Sequence, residues 1–261
     1  MKRFFRDQAK RVLTRVMRRS GLEIHAIPPL PAAYEGIPDA AYYTNSTSND
    51  PHFSPWELGG YGDFREYLDD ISPYTLVSPD RCHVLYSLGL QALQTLEGQF
   101  FECGVYRGGT AMLLARLVHR KRRSPDVRLH LFDTFVGMPE TDHGIDLHRK
   151  GDFDDTSLES VRARIGAPDT VTFYPGRIPE TFSGLQSVAI GFAHVDVDIR
   201  DSVKACCEFI YPRLQSGGFL VFDDYGFPSC PGARQAVDRY FRDKREVPLV
   251  LPTGQAVVFR K

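Results

Sequence analysis

The stretch 188–225, VAIGFAHVDVDIRDSVKACCEFIYPRLQSGGFLVFDDY, constrains the fold more than any other part of the chain. An apolar run ends in Asp196 and Asp198, a helical pattern follows, and after a turn expected at Gly217-Gly218 a second apolar run ends in Asp223 and Asp224. If the two runs lie side by side as parallel strands joined by a helical crossover, four carboxylates converge at one edge of a sheet. Such a cluster is costly unless a positive charge sits within it, so a divalent cation is the expected occupant.

The pattern extends in both directions. Strands are expected at 99–104, 128–133, 170–174, 188–196 and 219–222, with helices at 109–119, 202–214 and 232–242. Two short strands, 248–251 and 256–259, flank the turn Pro252-Thr253-Gly254 and read as a hairpin. Alternation of this kind implies a mostly parallel α/β sheet covered by helices on both faces, with an antiparallel last strand. Residues 64–97 carry helical apolar spacing, with Pro79 in a first turn. A chain of 261 residues can bury one large core of this type.

Composition removes several classes. No apolar run approaches the roughly 20 residues needed to span a bilayer. The five cysteines (Cys82, Cys103, Cys206, Cys207, Cys230) are odd in number and form no CxxC pair, which argues against a disulfide framework or a thiolate zinc site and for a cytoplasmic setting. The net charge of −1 hides an asymmetry: residues 1–20 hold eight Lys/Arg against Asp7, so the remainder carries −8. That basic segment has helical apolar spacing and reads as a surface helix; no aromatic-interleaved basic pattern points to nucleic acid. Residues 26–63 are rich in Pro, Tyr, Ser and Gly and are expected to be irregular, with the aromatic content of a lid.

Ligands of open α/β sheets bind beyond the carboxyl ends of the strands. Here the first strand runs into Glu102-Cys103-Gly104-Val105-Tyr106-Arg107-Gly108-Gly109, a glycine turn that allows close backbone approach to a ligand. It is not GxGxxG. The second strand ends at Asp133, where a carboxylate can accept from both hydroxyls of a ribose or cap its own turn through Thr134 and Phe135. Together the two features favour an adenosine-containing cofactor. His194, inside a strand, reads as a hydrogen-bonded core histidine, and Cys206-Cys207 as core filling.

Four stretches resemble the macrocin-O-methyltransferase family of S-adenosylmethionine-dependent sugar methyltransferases: FFECGVYRGGT, LFDTFVGMPE, HVDVDIRDSVKACCEFIYPRL and SGGFLVFDDYGFPSCPGARQAVDRYF. The similarity spans roughly residues 70–245. It implies a Rossmann-like class I methyltransferase fold, a seven-stranded, mostly parallel sheet with an antiparallel C-terminal hairpin. Residues 66–261 would form that domain, and residues 1–65 a basic helix and irregular lid. It implies S-adenosylmethionine at Thr75, Glu102, Gly104, Val105, Tyr106, Asp133, Thr134 and Ser157, and Mg²⁺ held by Asp196, Asp223 and Asp224. Asp198 resembles a proposed general base, and His148 the histidine given that role in some relatives. Val197 stands where many relatives have glycine, and Ile199-Arg200 replaces a commoner Leu-Tyr; both departures fall on the acceptor side.

The residue types suit that chemistry. A sugar hydroxyl is a poor nucleophile, hard oxygen ligands suit Mg²⁺, and a carboxylate or imidazole can remove the proton. The expectation is therefore an O-methyltransferase acting on a glycoside and assembling as a homodimer, with the aromatic N-terminal segment and the loop 140–157 closing over the acceptor. An NAD-dependent oxidoreductase on a similar sheet predicts a GxGxxG and a Tyr/Lys base; a non-catalytic cofactor-binding scaffold predicts a broken set of acids. Neither pattern is found.

Overall fold

The computed structural model describes residues 63–166 and 169–261. All lie in one compact unit, Ser46–Lys261. The basic segment 1–20 and all of the irregular stretch 26–63 except Asp63 fall outside the described residues.

The strands are β1 (Gln99–Cys103), β2 (Leu129–Asp133), β3 (Val171–Pro175), β4 (Ile190–Val195), β5 (Leu214–Phe222), β6 (Leu249–Val250) and β7 (Ala256–Phe259). The described helices are α1 (Phe64–Ile71), α2 (Pro79–Thr95), α3 (Gly109–Lys121), α4 (Leu158–Ile165), α5 (Arg200–Ile210) and α6 (Pro231–Phe241). The seven strands form one sheet in the order β3-β2-β1-β4-β5-β7-β6. β1 to β5 pair in parallel, and β7 runs antiparallel to both β5 and β6. The order reverses between β1 and β4, which is where such a sheet opens a crevice for ligands.

Period-2 alternation divides the strand residues between two cores. Phe100, Leu129, Leu131, Phe192, Val221 and Val257 face the layer that contains residues of α1, α2 and α3. Phe101, Phe132, Ala193, Val195, Leu220 and Val258 face α5 and α6. No helix among the described residues is long and apolar enough to cross a membrane.

Three local features differ from the sequence reading. Residues 72–78 interrupt the first helical stretch, because Pro73 and Pro79 break the backbone hydrogen-bond ladder; a 3₁₀ turn (Ser72–Tyr74) is followed by extended chain into α2. Gly217-Gly218 is no turn. It lies inside β5, opposite a register shift in β4, with Gly217 at φ +86° and bonded to the carbonyl of Arg260 at 2.7 Å. Helix α4 was not anticipated: its apolar face is only Leu158, Val161 and Ile165, set among charges, and Ser157 caps it by accepting from the Ser160 N–H at 3.2 Å.

Leu113 is fully buried under the α1–α2 layer. Leu113→Ala is expected to cost about 2–5 kcal/mol, read as a lower urea midpoint with an unchanged denaturant slope.

Candidate active site

The carboxyl ends of β1, β4 and β5 carry a row of polar residues in the period-2 positions that continue one core face: Glu102 after Phe100, His194 after Phe192, Asp223 after Val221. Glu102, His194 and Asp223 are fully buried. His194 Nδ1 lies 3.1 Å from Glu102 Oε1, and its Nε2 lies 3.4 Å from Asp223 Oδ1. Burial opposes charge on this imidazole, but the hydrogen bonds and charges of Asp223 and Glu102 outweigh it and raise the pKa to about 10, so the ring is protonated at neutral pH. His194 is thus a hydrogen-bonded core histidine, as its place in the strand suggests.

Arg81, from α2, donates to Asp223 Oδ2 and to the Leu76 carbonyl at 3.0 Å, and its guanidinium lies 4.7 Å from the Phe227 ring centroid. Gln255 donates to Asp223 Oδ1 at 2.8 Å. Despite burial, the bonds from His194 and the charge of Arg81 hold the Asp223 carboxyl below its usual range. Sequence reasoning missed Arg81. It lies in a helix read only for its apolar spacing, and only its buried position 142 residues before its partner reveals its part.

Beside this neutralised row stand Asp196, Asp198 and Asp224, each offering an oxygen within 4.8 Å of the others. Asp224 Oδ2 accepts from the Asp198 N–H at 2.9 Å, and Asp198 adopts φ +57°, a left-handed conformation that Asp tolerates better than most residues. Burial, then mutual repulsion, pushes Asp196 and Asp224 well above the usual carboxylate range and Asp198 to about 7. The two neighbouring buried cations are committed to Asp223 and Glu102. Three hard oxygen donors forced towards protonation for want of a positive charge fit a divalent cation.

His148 lies with Asp198 at the same end. Its Nε2 is 3.6 Å from Asp198 Oδ1, and its Nδ1 is 3.3 Å from Asp152 Oδ2. The loop 140–157 that brings it there is docked: buried Asp146 accepts from the Arg200 N–H at 2.9 Å, and Arg200 pairs with Asp142 at 3.0 Å.

At the other end, Gly104 (φ +86°) has no room for a side chain, because a Cβ there would fall on the carbonyl oxygen of Asp196. A Cβ on Gly109 would meet Thr75 Cβ at 2.5 Å. Asp133 Oδ2 accepts from the N–H groups of Val105 (2.6 Å) and Tyr106 (3.0 Å), and Oδ1 accepts from Phe135 N–H at 2.6 Å. Asp133 therefore caps its own turn and also stitches the glycine turn to β2, leaving accepting capacity mainly on Oδ1.

One cavity of about 280 Å³ joins the two ends. Its walls include Thr75, Gly104, Val105, Tyr106, Asp133 and Thr134 at one end and His148, Asp196, Asp198 and Asp224 at the other. Glu102, Ser157 and Asp223 are not on its walls. Glu102 stands behind, against His194, and Ser157 caps α4.

A family model described as macrocin-O-methyltransferase (TylF) matches residues 72–261. The 8-demethyl-8-(2,3-dimethoxy-alpha-L-rhamnosyl)-tetracenomycin-C 4'-O-methyltransferase of Streptomyces olivaceus is 34% identical over 154 residues, 55% of this chain and 58% of that protein. Mycinamicin III 3''-O-methyltransferase of Micromonospora griseorubida is 31% identical over 188 residues, 67% of this chain and 72% of its own. Matched stretches thus span little more than half of the first relative's length. The O-methyltransferase NovP shares the fold with TM-score 0.64 at 24% identity, covering 72% of this chain and 82% of NovP. The calicheamicin methyltransferase CalS11 does so with TM-score 0.58 at 21% identity, covering 81% and 87%.

Removing one partner of a buried ion pair strands the other, so Arg81→Leu is expected to destabilise the chain by about 3–5 kcal/mol in chemical denaturation. Asp198 carries a raised folded-state pKa, so its contribution to stability is complete below the unfolded value of 3.8 and lost as pH rises through about 7. In EDTA, the urea midpoint should therefore fall as pH rises from about 4 to about 7, and fall less in Asp198→Asn.

Proposed function

The chain belongs to the macrocin-O-methyltransferase family, and we propose that it transfers the methyl group of S-adenosylmethionine to a hydroxyl of a sugar on a glycosylated natural product, with Mg²⁺ at the acceptor end. The observation that carries this reading is the single cavity that runs from the glycine turn and Asp133 to the carboxylate cluster. Relatives named for methylation of a rhamnosyl-tetracenomycin and of mycinamicin III support the choice of acceptor class.

Thr75, Gly104, Val105, Tyr106, Asp133 and Thr134 would hold the methyl donor. Asp133 has Oδ1 left to accept from a ribose hydroxyl, and Gly104 lets the backbone approach. Glu102 and Ser157 act at one remove, through His194 and through the cap of α4. Asp196 and Asp224 are the proposed magnesium ligands. The third carboxylate already within reach is Asp198; Asp223, expected from the sequence, would first have to release Arg81. When bound, S-adenosylmethionine supplies an electrophilic methyl group and magnesium supplies Lewis acidity that lowers the pKa of a hydroxyl.

Asp198 and His148 are adjacent, so the two candidate bases form one proton-accepting unit. The Asp198 carboxyl, pushed up to about 7 by burial and its neighbours, is matched to proton transfer near neutrality. Asp152 orients the His148 ring from the far side. Phe153, Met138 and Phe227 in the cavity wall exclude water from the transfer path. A cytoplasmic setting and a homodimer remain part of the proposal.

Calorimetry is expected to show binding of S-adenosylmethionine and no binding of NAD⁺, with methyl transfer to glycosides detected by mass spectrometry and abolished by EDTA; tight NAD⁺ binding without a response to S-adenosylmethionine would overturn the reading. Asp198→Asn and His148→Asn should each lower kcat by about 10²–10⁴ with donor binding retained. If the pair acts as a unit, the double variant should lose no more than the worse single one.

A further inference from the structure

The end of the cavity nearest α6 contains a donor set of different chemistry. Cys230, the residue before the first turn of α6, places Sγ 3.4 Å from Asp198 Oδ1 and 3.7 Å from His148 Nε2, and the Nε2–Oδ1 distance closes the triangle at 3.6 Å. We infer that His148, Asp198 and Cys230 form a second metal site that takes zinc in preference to magnesium.

Three observations carry the assignment. Tetrahedral zinc with bonds of about 2.0 Å to nitrogen, about 2.1 Å to oxygen and about 2.3 Å to sulfur separates its ligand atoms by roughly 3.4–3.6 Å, which is the size of this triangle. The second is Asp152, whose Oδ2 lies 3.3 Å from His148 Nδ1 and is itself fixed by the Arg149 N–H at 2.9 Å. A carboxylate on the far nitrogen is the usual outer partner of a metal-binding histidine, and it directs the Nε2 lone pair towards Cys230 and Asp198. The third is access: all three side chains line the cavity, so an ion has an entry path.

Donor chemistry sorts the ions. Asp196 and Asp224 offer only oxygen and suit magnesium, whereas imidazole and thiolate favour zinc. Asp198 is common to both clusters. Burial pushes the Cys230 thiol up, so binding must displace its proton to the buffer, while the N-terminus of α6 favours the thiolate that results. Zinc bound here occupies both members of the proposed base, so it inhibits methyl transfer in the presence of saturating magnesium. The inhibition rests on the proposed function; the binding does not.

Cobalt(II) is the probe, because it replaces zinc in such sites and reports its ligands by colour. Titrated into the full chain in excess Mg²⁺, one equivalent of Co²⁺ is expected to give a thiolate-to-metal charge-transfer band and the intense visible bands of a tetrahedral ion, both erased by one equivalent of Zn²⁺. Cys230→Ala should lose the charge-transfer band. His148→Asn should weaken Zn²⁺ binding by more than the roughly 10–100-fold that loss of an outer partner costs, and it serves alone if Cys230→Ala does not fold. Absence of the band in the wild type, its persistence in Cys230→Ala, or unchanged Zn²⁺ affinity in His148→Asn overturns the site. The spectrum is read without turnover, so a failed methyl-transfer assay leaves this test intact.

Discussion

Arg81 reaches from α2 to the edge of the sheet and meets Asp223 where both are buried, while His194 sits protonated between Asp223 and Glu102. Without these two cations, five carboxyl groups would crowd the ends of β1, β4 and β5 with nothing to balance them. With them, Glu102 and Asp223 are satisfied, and the uncompensated charge is confined to Asp196, Asp198 and Asp224. The buried row thereby does two things at once. It fixes the three strand ends in register, and it leaves a small acidic cluster whose raised pKa values mark where a cation belongs.

The other end of the cavity is fixed by backbone geometry. Gly104 must be glycine because a Cβ there would fall on the carbonyl of Asp196, just past the end of β4, and Asp133 holds the N–H groups of Val105 and Tyr106 in place. Tyr106, Phe153 and Asp198, all on the cavity wall, adopt positive φ. Non-glycine residues in that region carry strain of about 1 kcal/mol or more, which persists only where surrounding contacts dictate it. Their grouping here shows that the local chain is shaped for the cavity wall, at some cost to its own preferences.

Much of the fold was legible because hydrophobic periodicity is a local property. The strands β1, β2, β4 and β7, the helices α3 and α6, and the C-terminal hairpin follow from apolar runs bounded by glycine, proline and polar turns. Errors arose where tertiary contacts overrode the local signal. The Gly217-Gly218 pair signals a turn in isolation, yet β7 captures its backbone and draws it into β5. Helix α4 presents a three-residue apolar face, too narrow to be told from a polar loop until α3 packs against it.

For the site, sequence alone determined the chemical inventory and its approximate address. Strand ends in an α/β sheet converge, so Asp133, Asp196, Asp198, Asp223 and Asp224 had to lie along one edge, and a glycine turn had to accompany them. What it could not determine was how those acids divide the available positive charge. That depends on Arg81, 142 residues from its partner, and on His194, whose protonation follows from two carboxylates on other elements. Nor could it bring Cys230 and His148, 82 residues apart, to Asp198. Periodicity acts over a few residues and is written in the chain; charge balance acts through space, and only the folded sheet decides which groups share it.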